Sequence, residues 1–193
     1  QRTPGKVEYK EVKLGAVFEA AVDESGQAQS GEKTYTGTFQ DAAACVRQVV
    51  SEAKARGSDK AQEIVLLNDG GEWLWNRLPQ EFPGKKVTQI LDWCHPSERL
   101  GAIIACTHGE GTGAAKEWAE HQRDLLYDGK VGDVIQAIES LKPSGKEAQE
   151  FVRQSLGYFR EHSHRMDYAE FRAKGYFIGS GVIESACKHI VNE

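Results

Sequence analysis

Ile64-Val65-Leu66-Leu67 is apolar at every position and is closed at once by Asn68-Asp69-Gly70-Gly71. A run this short between polar flanks reads as a strand. With no polar face of its own, such a strand belongs at the centre of a sheet covered on both sides. That requirement points to an α/β architecture, because helices are the elements that cover both faces of a sheet. A carboxylate just past such a strand lies where open α/β sheets place their ligands.

The flanking segments fit this frame. Residues 7–21 alternate and then run apolar, and residues 33–39 are rich in strand formers, so the two predict a hairpin across a turn at 23–31. Thr38 or Asp41 caps a helix running to about Arg56, with Ala42, Cys45, Val46, Val49 and Ala53 on one face. After Asp69, Trp73, Trp75 and Leu78 predict a short helix. A turn at Pro83-Gly84 follows, then a strand over 85–91 that ends in Asp92.

From 97 to 172 only helical periodicity is present, broken at 109–111, 128–129 and 143–145. A last helix follows Gly179-Ser180-Gly181, with Val182, Ile183, Ala186, Cys187, Ile190 and Val191 as one apolar stripe. The order is thus hairpin, helix, central strand, strand, helical block and final helix.

Composition narrows the function classes. Hydrophobic residues at 39% and charged residues at 27% suit a chain that buries a core. No apolar run approaches the roughly 20 residues of a membrane span, and the polar start, residues 1–6, is no signal peptide. Cys45, Cys94, Cys106 and Cys187 are scattered without a Cys-x-x-Cys pair, which suits a reduced cytosolic protein. The net charge of −5 offers no global field for nucleic acid, so any such role must rest on local residues. Residues 142–174 are the best local stretch, with seven Lys/Arg against five Asp/Glu, plus His162 and His164. An ordinary solvated helical face explains that small excess as well.

Four residues carry candidate chemistry. Asp69 is a ligand-position carboxylate or simply the support of the Gly70-Gly71 turn. Glu184 sits one turn into the final helix, or forms an ordinary surface pair with Lys188. Asp92 and His95 make an Asp-x-x-His at the end of the second strand, although Asp92 can equally cap the next helix. Cys94, His95, Cys106 and His108 offer zinc-ligand types at a spacing that matches no standard finger or ribbon. A nucleophile elbow and a phosphate loop are both excluded. Ile178-Gly179-Ser180-Gly181 lacks the Gly-x-Ser-x-Gly spacing, and the glycines at 109, 111 and 113 lack the following Lys-Ser/Thr.

Taken together, Asp69-Gly70, Asp92-Trp93-Cys94-His95, the helical block and Gly-Tyr-Phe-Ile-Gly-Ser-Gly-Val-Ile-Glu-Ser-Ala-Cys-Lys (175–188) resemble bacterial insertion-sequence transposases of the ISKra group, relatives of the Mutator-like DDE enzymes. The resemblance runs the length of the chain, and 175–188 is its most specific part. It implies a ribonuclease-H-like mixed sheet flanked by helices, with an all-helical insertion before the last catalytic helix. The implied organisation is a core over 1–96, a helical insertion over 97–174 and a return to the core over 175–193. It matches Asp69 to the second catalytic aspartate, Glu184 to the catalytic glutamate, and Asp92 and His95 to the downstream Asp/Cys-x-x-His signature.

The implied activity is phosphodiester cleavage and strand transfer on two Mg²⁺ (or Mn²⁺) ions held by Asp69 and Glu184. Two metals about 3.5–4 Å apart stabilise attacking and leaving oxygens together. The implied partners are DNA, as transposon ends and target, and further copies of the chain in a homo-oligomeric transposition complex. No membrane is implied, and the location is the bacterial cytoplasm, at the nucleoid when acting. The family's first aspartate precedes the segment 8–13 and has no match here; Glu8, Glu11 and Asp23 lie on other strands or turns. The expectation is therefore a catalytic-domain fragment that is inactive alone. Two alternatives stand beside it: a domesticated or decayed derivative that binds DNA or protein without cutting, and another ribonuclease-H-like nuclease.

Overall fold

The computed structural model of the chain describes residues 12–108 and 111–181. It is a mixed α/β structure in which two small sheets are packed by helices. β1 (Lys13–Val22) and β2 (Ala28–Thr38) form an antiparallel hairpin whose turn is held by Asp23. One Asp23 oxygen accepts from the backbone N–H of Ser25 and of Gln27. α1 (Ala42–Ala55) starts where the sequence predicts, with Asp41 accepting from the Ala44 N–H at 2.8 Å.

β3 (Glu63–Asn68) and β4 (Lys86–Leu91) pair in parallel from Glu63 opposite Lys86 to Asn68 opposite Leu91. The crossover runs through α2 (Glu72–Arg77) and a tight turn at Leu78–Glu81. Apolar clusters lie on both sides of this pair. One gathers Val46, Val50 and Ala53 of α1 with Leu66, Leu78 and Phe82. The other packs Ile90 and Leu91, both fully buried, against the helices that follow. Double covering is why the centre of β3, Ile64 to Leu67, carries no polar side chain. The covering is incomplete at Val65, which remains 36% exposed.

The helices are α3 (Cys94–His108), α4 (Gly113–Tyr127), α5 (Val131–Glu139), α6 (Lys146–His162) and α7 (Tyr168–Ala173). Their core is continuous with β4: Leu100, Ile103, Leu126, Ile138, Phe159 and Tyr168 join the cluster around Ile90 and Leu91. The Tyr168 hydroxyl donates to the Leu91 carbonyl at 2.8 Å, fixing α7 to the sheet.

A single mixed sheet does not form among the described residues; the hairpin and the parallel pair are hydrogen-bonded separately. α1 joins them instead. Val49 fills the space above Gly15 of β1, and Val17 packs into the same cluster as Ile64 and Leu66. Residues 175–180 form a second tie. Phe177 meets Phe18 edge-on at 5.4 Å, and the Tyr176 hydroxyl donates to Glu63 at 2.7 Å. Gly175 has φ +73° and a Cβ there would collide with Val22, so the strap can begin only on glycine. No helix among the described residues is long and apolar enough to cross a membrane.

Candidate functional site

β3 and β4 end side by side, and the Asp92 N–H closes the pair by donating to the Asn68 carbonyl at 2.8 Å. The parallel arrangement therefore delivers Asp69 and Asp92 to the same end of the sheet. Their environments are opposite. Asp69 is exposed, and among the described residues its carboxylate accepts only the Gly71 N–H, at 3.2 Å, steadying a turn in which Gly70 takes φ +101°. Asp92 is 1% exposed. One of its oxygens accepts from the Cys94 N–H at 2.8 Å and the other from the Ser180 N–H at 2.7 Å.

Cys94 opens α3, so Asp92 leads the chain into that helix and also holds the 175–180 strap. The Trp93 N–H reinforces the tie by donating to the Ile178 carbonyl at 2.8 Å. His95 is exposed on the first turn of α3. It faces an open cleft of about 510 Å³ lined by Asp69 and Gly70, by Glu98, Arg99 and Ala102 of α3, and by Phe151, Tyr158 and His162 of α6. Asp69 and His95 thus share one cavity, while Asp92 lies outside its lining. Glu184 lies outside the described residues.

The cleft wall is aromatic and cationic. The Arg99 guanidinium stands over the Tyr158 ring at 4.4 Å and near Phe151 at 6.0 Å, and it donates to the Ser155 hydroxyl at 3.3 Å. Burial pushes the Tyr158 hydroxyl up to about 12; Arg99 opposes that shift, and Asp92 and Asp69 add to it. His162 is 7% exposed, and its Nδ1 lies 2.8 Å from Arg165. Arginine only donates, so this nitrogen accepts and the ring is neutral. Arg165 also donates to Gln89 of β4 at 2.8 Å and stands over Trp75 at 4.5 Å, linking the end of α6 to the sheet.

Burial lowers the His162 pKa, with nearby Arg165, His164 and Arg99 acting in the same direction. Above the ordinary imidazole range both folded and unfolded states are neutral, and the shift has no consequence. Below it the unfolded chain takes up the proton first, so stability falls as pH falls towards the lowered folded value. Urea unfolding at pH 7 and pH 5.5 should show this loss. The pH dependence should be shallower in His162→Gln, and an unchanged slope would count against the assignment.

Among the described residues, no group of three or more His, Cys, Asp or Glu is placed to hold a metal ion. For the zinc alternative the reason is plain. Cys94 and Cys106 stand near opposite ends of α3, about 18 Å apart on a helix rising 1.5 Å per residue. For Mg²⁺ the cleft offers carboxylate oxygens of the right hardness in Asp69 and Glu98. These supply part of a shell, and the rest would have to come from Glu184 and a further carboxylate.

The basic stretch at 142–174 proves largely committed inside the molecule. Arg153 pairs with Glu150, Arg160 with Glu139 and Lys174 with Glu170. Arg165 is held as described, and Arg172 donates to the Tyr127 carbonyl over that ring. The cation that faces the cleft is Arg99, which the charge count overlooked. The signal was present in the spacing: Arg99 follows His95 by four residues, so a helix puts both on one face. No family model, curated protein or solved structure matches the chain.

Proposed function

We propose that this chain is catalytic core of a DDE-type DNA transposase, on a ribonuclease-H-like sheet, acting through Asp69 and Glu184 with Mg²⁺. The observation that carries the reading is the Ser180 N–H donating to buried Asp92. It anchors the run Gly179-Ser180-Gly181 at the end of the sheet where Asp69 emerges. Glu184 follows four positions later, within about 14 Å of chain reach. On this reading two carboxylates 115 positions apart in sequence share a pair of divalent ions.

The parallel β3–β4 pair, the carboxylate at its C-terminal end and the cleft shared with His95 fit the same reading.

The test is strand cleavage by the full-length gene product on duplex DNA bearing the ends of its own element. Cleavage is expected with Mg²⁺ or Mn²⁺ and should cease on chelation, returning when metal is restored. The 193-residue chain alone, lacking a match to the first aspartate, is expected to leave the same DNA intact. Tight binding by the full-length protein without cleavage in any metal would favour the non-cutting derivative. Cleavage indifferent to chelation would remove the two-metal chemistry.

A further inference from the structure

Within the cleft, one charged group has donors to spare. A guanidinium carries five N–H donors, and among the described residues Arg99 donates to one partner, the Ser155 hydroxyl. No carboxylate among the described residues lies within ion-pair distance of it, although Glu98 and Asp69 line the same cavity. Its plane is set by Tyr158 at 4.4 Å and Phe151 at 6.0 Å, and Ser155 holds one edge. Stacked and pinned, the fork is oriented before any ligand arrives, which reduces the ordering cost of a bidentate contact. A planar fork of this kind matches a phosphate with two free oxygens better than a lone ammonium does. Its neighbours on the cavity wall are aromatic, and one helical turn before it stands His95.

We infer that Arg99 grips a phosphodiester of a DNA strand lying in this cleft, with its guanidinium fork on the two non-bridging oxygens. The inference rests on the DNA reading above and adds the residue that holds the strand beside Asp69. A strand phosphate and a free phosphate offer the fork the same oxygens, and the geometry of an open cleft favours the strand.

The experiment measures binding of fluorescein-labelled oligonucleotides to the full-length protein, by anisotropy across a salt series with Mg²⁺ present. Arg99→Gln should weaken binding at least about tenfold, the scale of one charge-assisted contact. It should also reduce the salt slope by about 0.7–0.9, the counterion release of a single phosphate. Arg99→Lys should keep the slope but lose part of the affinity, because charge survives and the fork does not. Lys54→Gln, an equal charge change on the exposed side of α1, should alter neither.

Equal effects of Arg99→Gln and Lys54→Gln would reduce the role to net charge and overturn the inference. So would an unaltered slope in a folded Arg99→Gln, or Arg99→Lys binding as the parent does. Displacement of the oligonucleotide by a mononucleotide at matched phosphate would assign the site to a small ligand instead. Should Arg99→Gln fail to fold, Arg99→Lys decides through its split between slope and affinity. If the parent protein binds no oligonucleotide at all, the DNA reading itself falls, an outcome distinct from parent binding with Arg99 silent.

Discussion

Asp69→Asn in the full-length protein is expected to lower metal-dependent DNA cleavage by about 10²–10³-fold, the cost of losing one preorganised charge from a transition state. The same substitution should leave the melting temperature within about 2 °C. This contrast follows from the surroundings of the side chain. Asp69 is exposed, and its one hydrogen bond among the described residues, from the Gly71 N–H at 3.2 Å, needs only an oxygen. An asparagine supplies that oxygen and keeps the turn, while removing the negative charge that a divalent ion requires.

Glu184→Gln is expected to behave the same way by resemblance. Cleavage rates and thermal melts on the same preparations check the pairing of effects. Wild-type rates in Asp69→Asn would show that the active site has been misplaced. A rate that falls only in step with the folded fraction would reduce Asp69 to a turn-forming residue.

The parts of the fold that were legible are those in which a local pattern has a single structural meaning. Ile64-Val65-Leu66-Leu67 was readable as a covered strand, and Asp41 followed by an apolar stripe as a capped helix. What escaped depends on contacts distant in sequence. The separation of hairpin and parallel pair into two sheets is set by which strands meet, and no periodicity records that. The helix that Asp92 could cap was readable, with Pro96 in its first turn where proline is tolerated, and α3 starts at Cys94. α7 is six residues long, too short for a periodic signal, and is held by the Asp167 cap and the Tyr168 bond to Leu91.

Of the candidate site, the sequence located carboxylates at strand ends but not their surroundings. Asp69 and His95 line one cavity. Asp92 was readable as a carboxylate at a strand end, but nothing in the sequence distinguishes an exposed one from one sealed by two backbone N–H groups. The charge count over 142–174 gave only a small excess, which an ordinary solvated helical face explains as well. The count could not say that Glu139, Glu150 and Glu170 pair with Arg160, Arg153 and Lys174, because pairing depends on where the side chains lie.

The opposite environment of Asp92 gives the second large effect: Asp92→Ala should cost about 2–4 kcal/mol of stability. Two N–H groups lose a charged acceptor, each such bond being worth about 1.5–3 kcal/mol, and the relief from burying a carboxylate offsets part of that sum. The losses fall at different places. Cys94 leads α3, while Ser180 ends the strap that reaches back to Tyr176 on Glu63 and Phe177 on Phe18. Freed from Ser180, that strap should open more often, so trypsin should cut at Lys174 faster than in the parent. Asp92→Asn, which keeps one acceptor oxygen but turns an amide towards the other N–H, should lie between alanine and the parent. Urea unfolding gives the size and proteolysis the location. An unfolding midpoint unmoved in Asp92→Ala would show that the carboxylate is no lock. A large shift with cleavage at Lys174 unchanged would confine the lock to α3 and release Ser180, and with it Glu184, from the argument for a shared site.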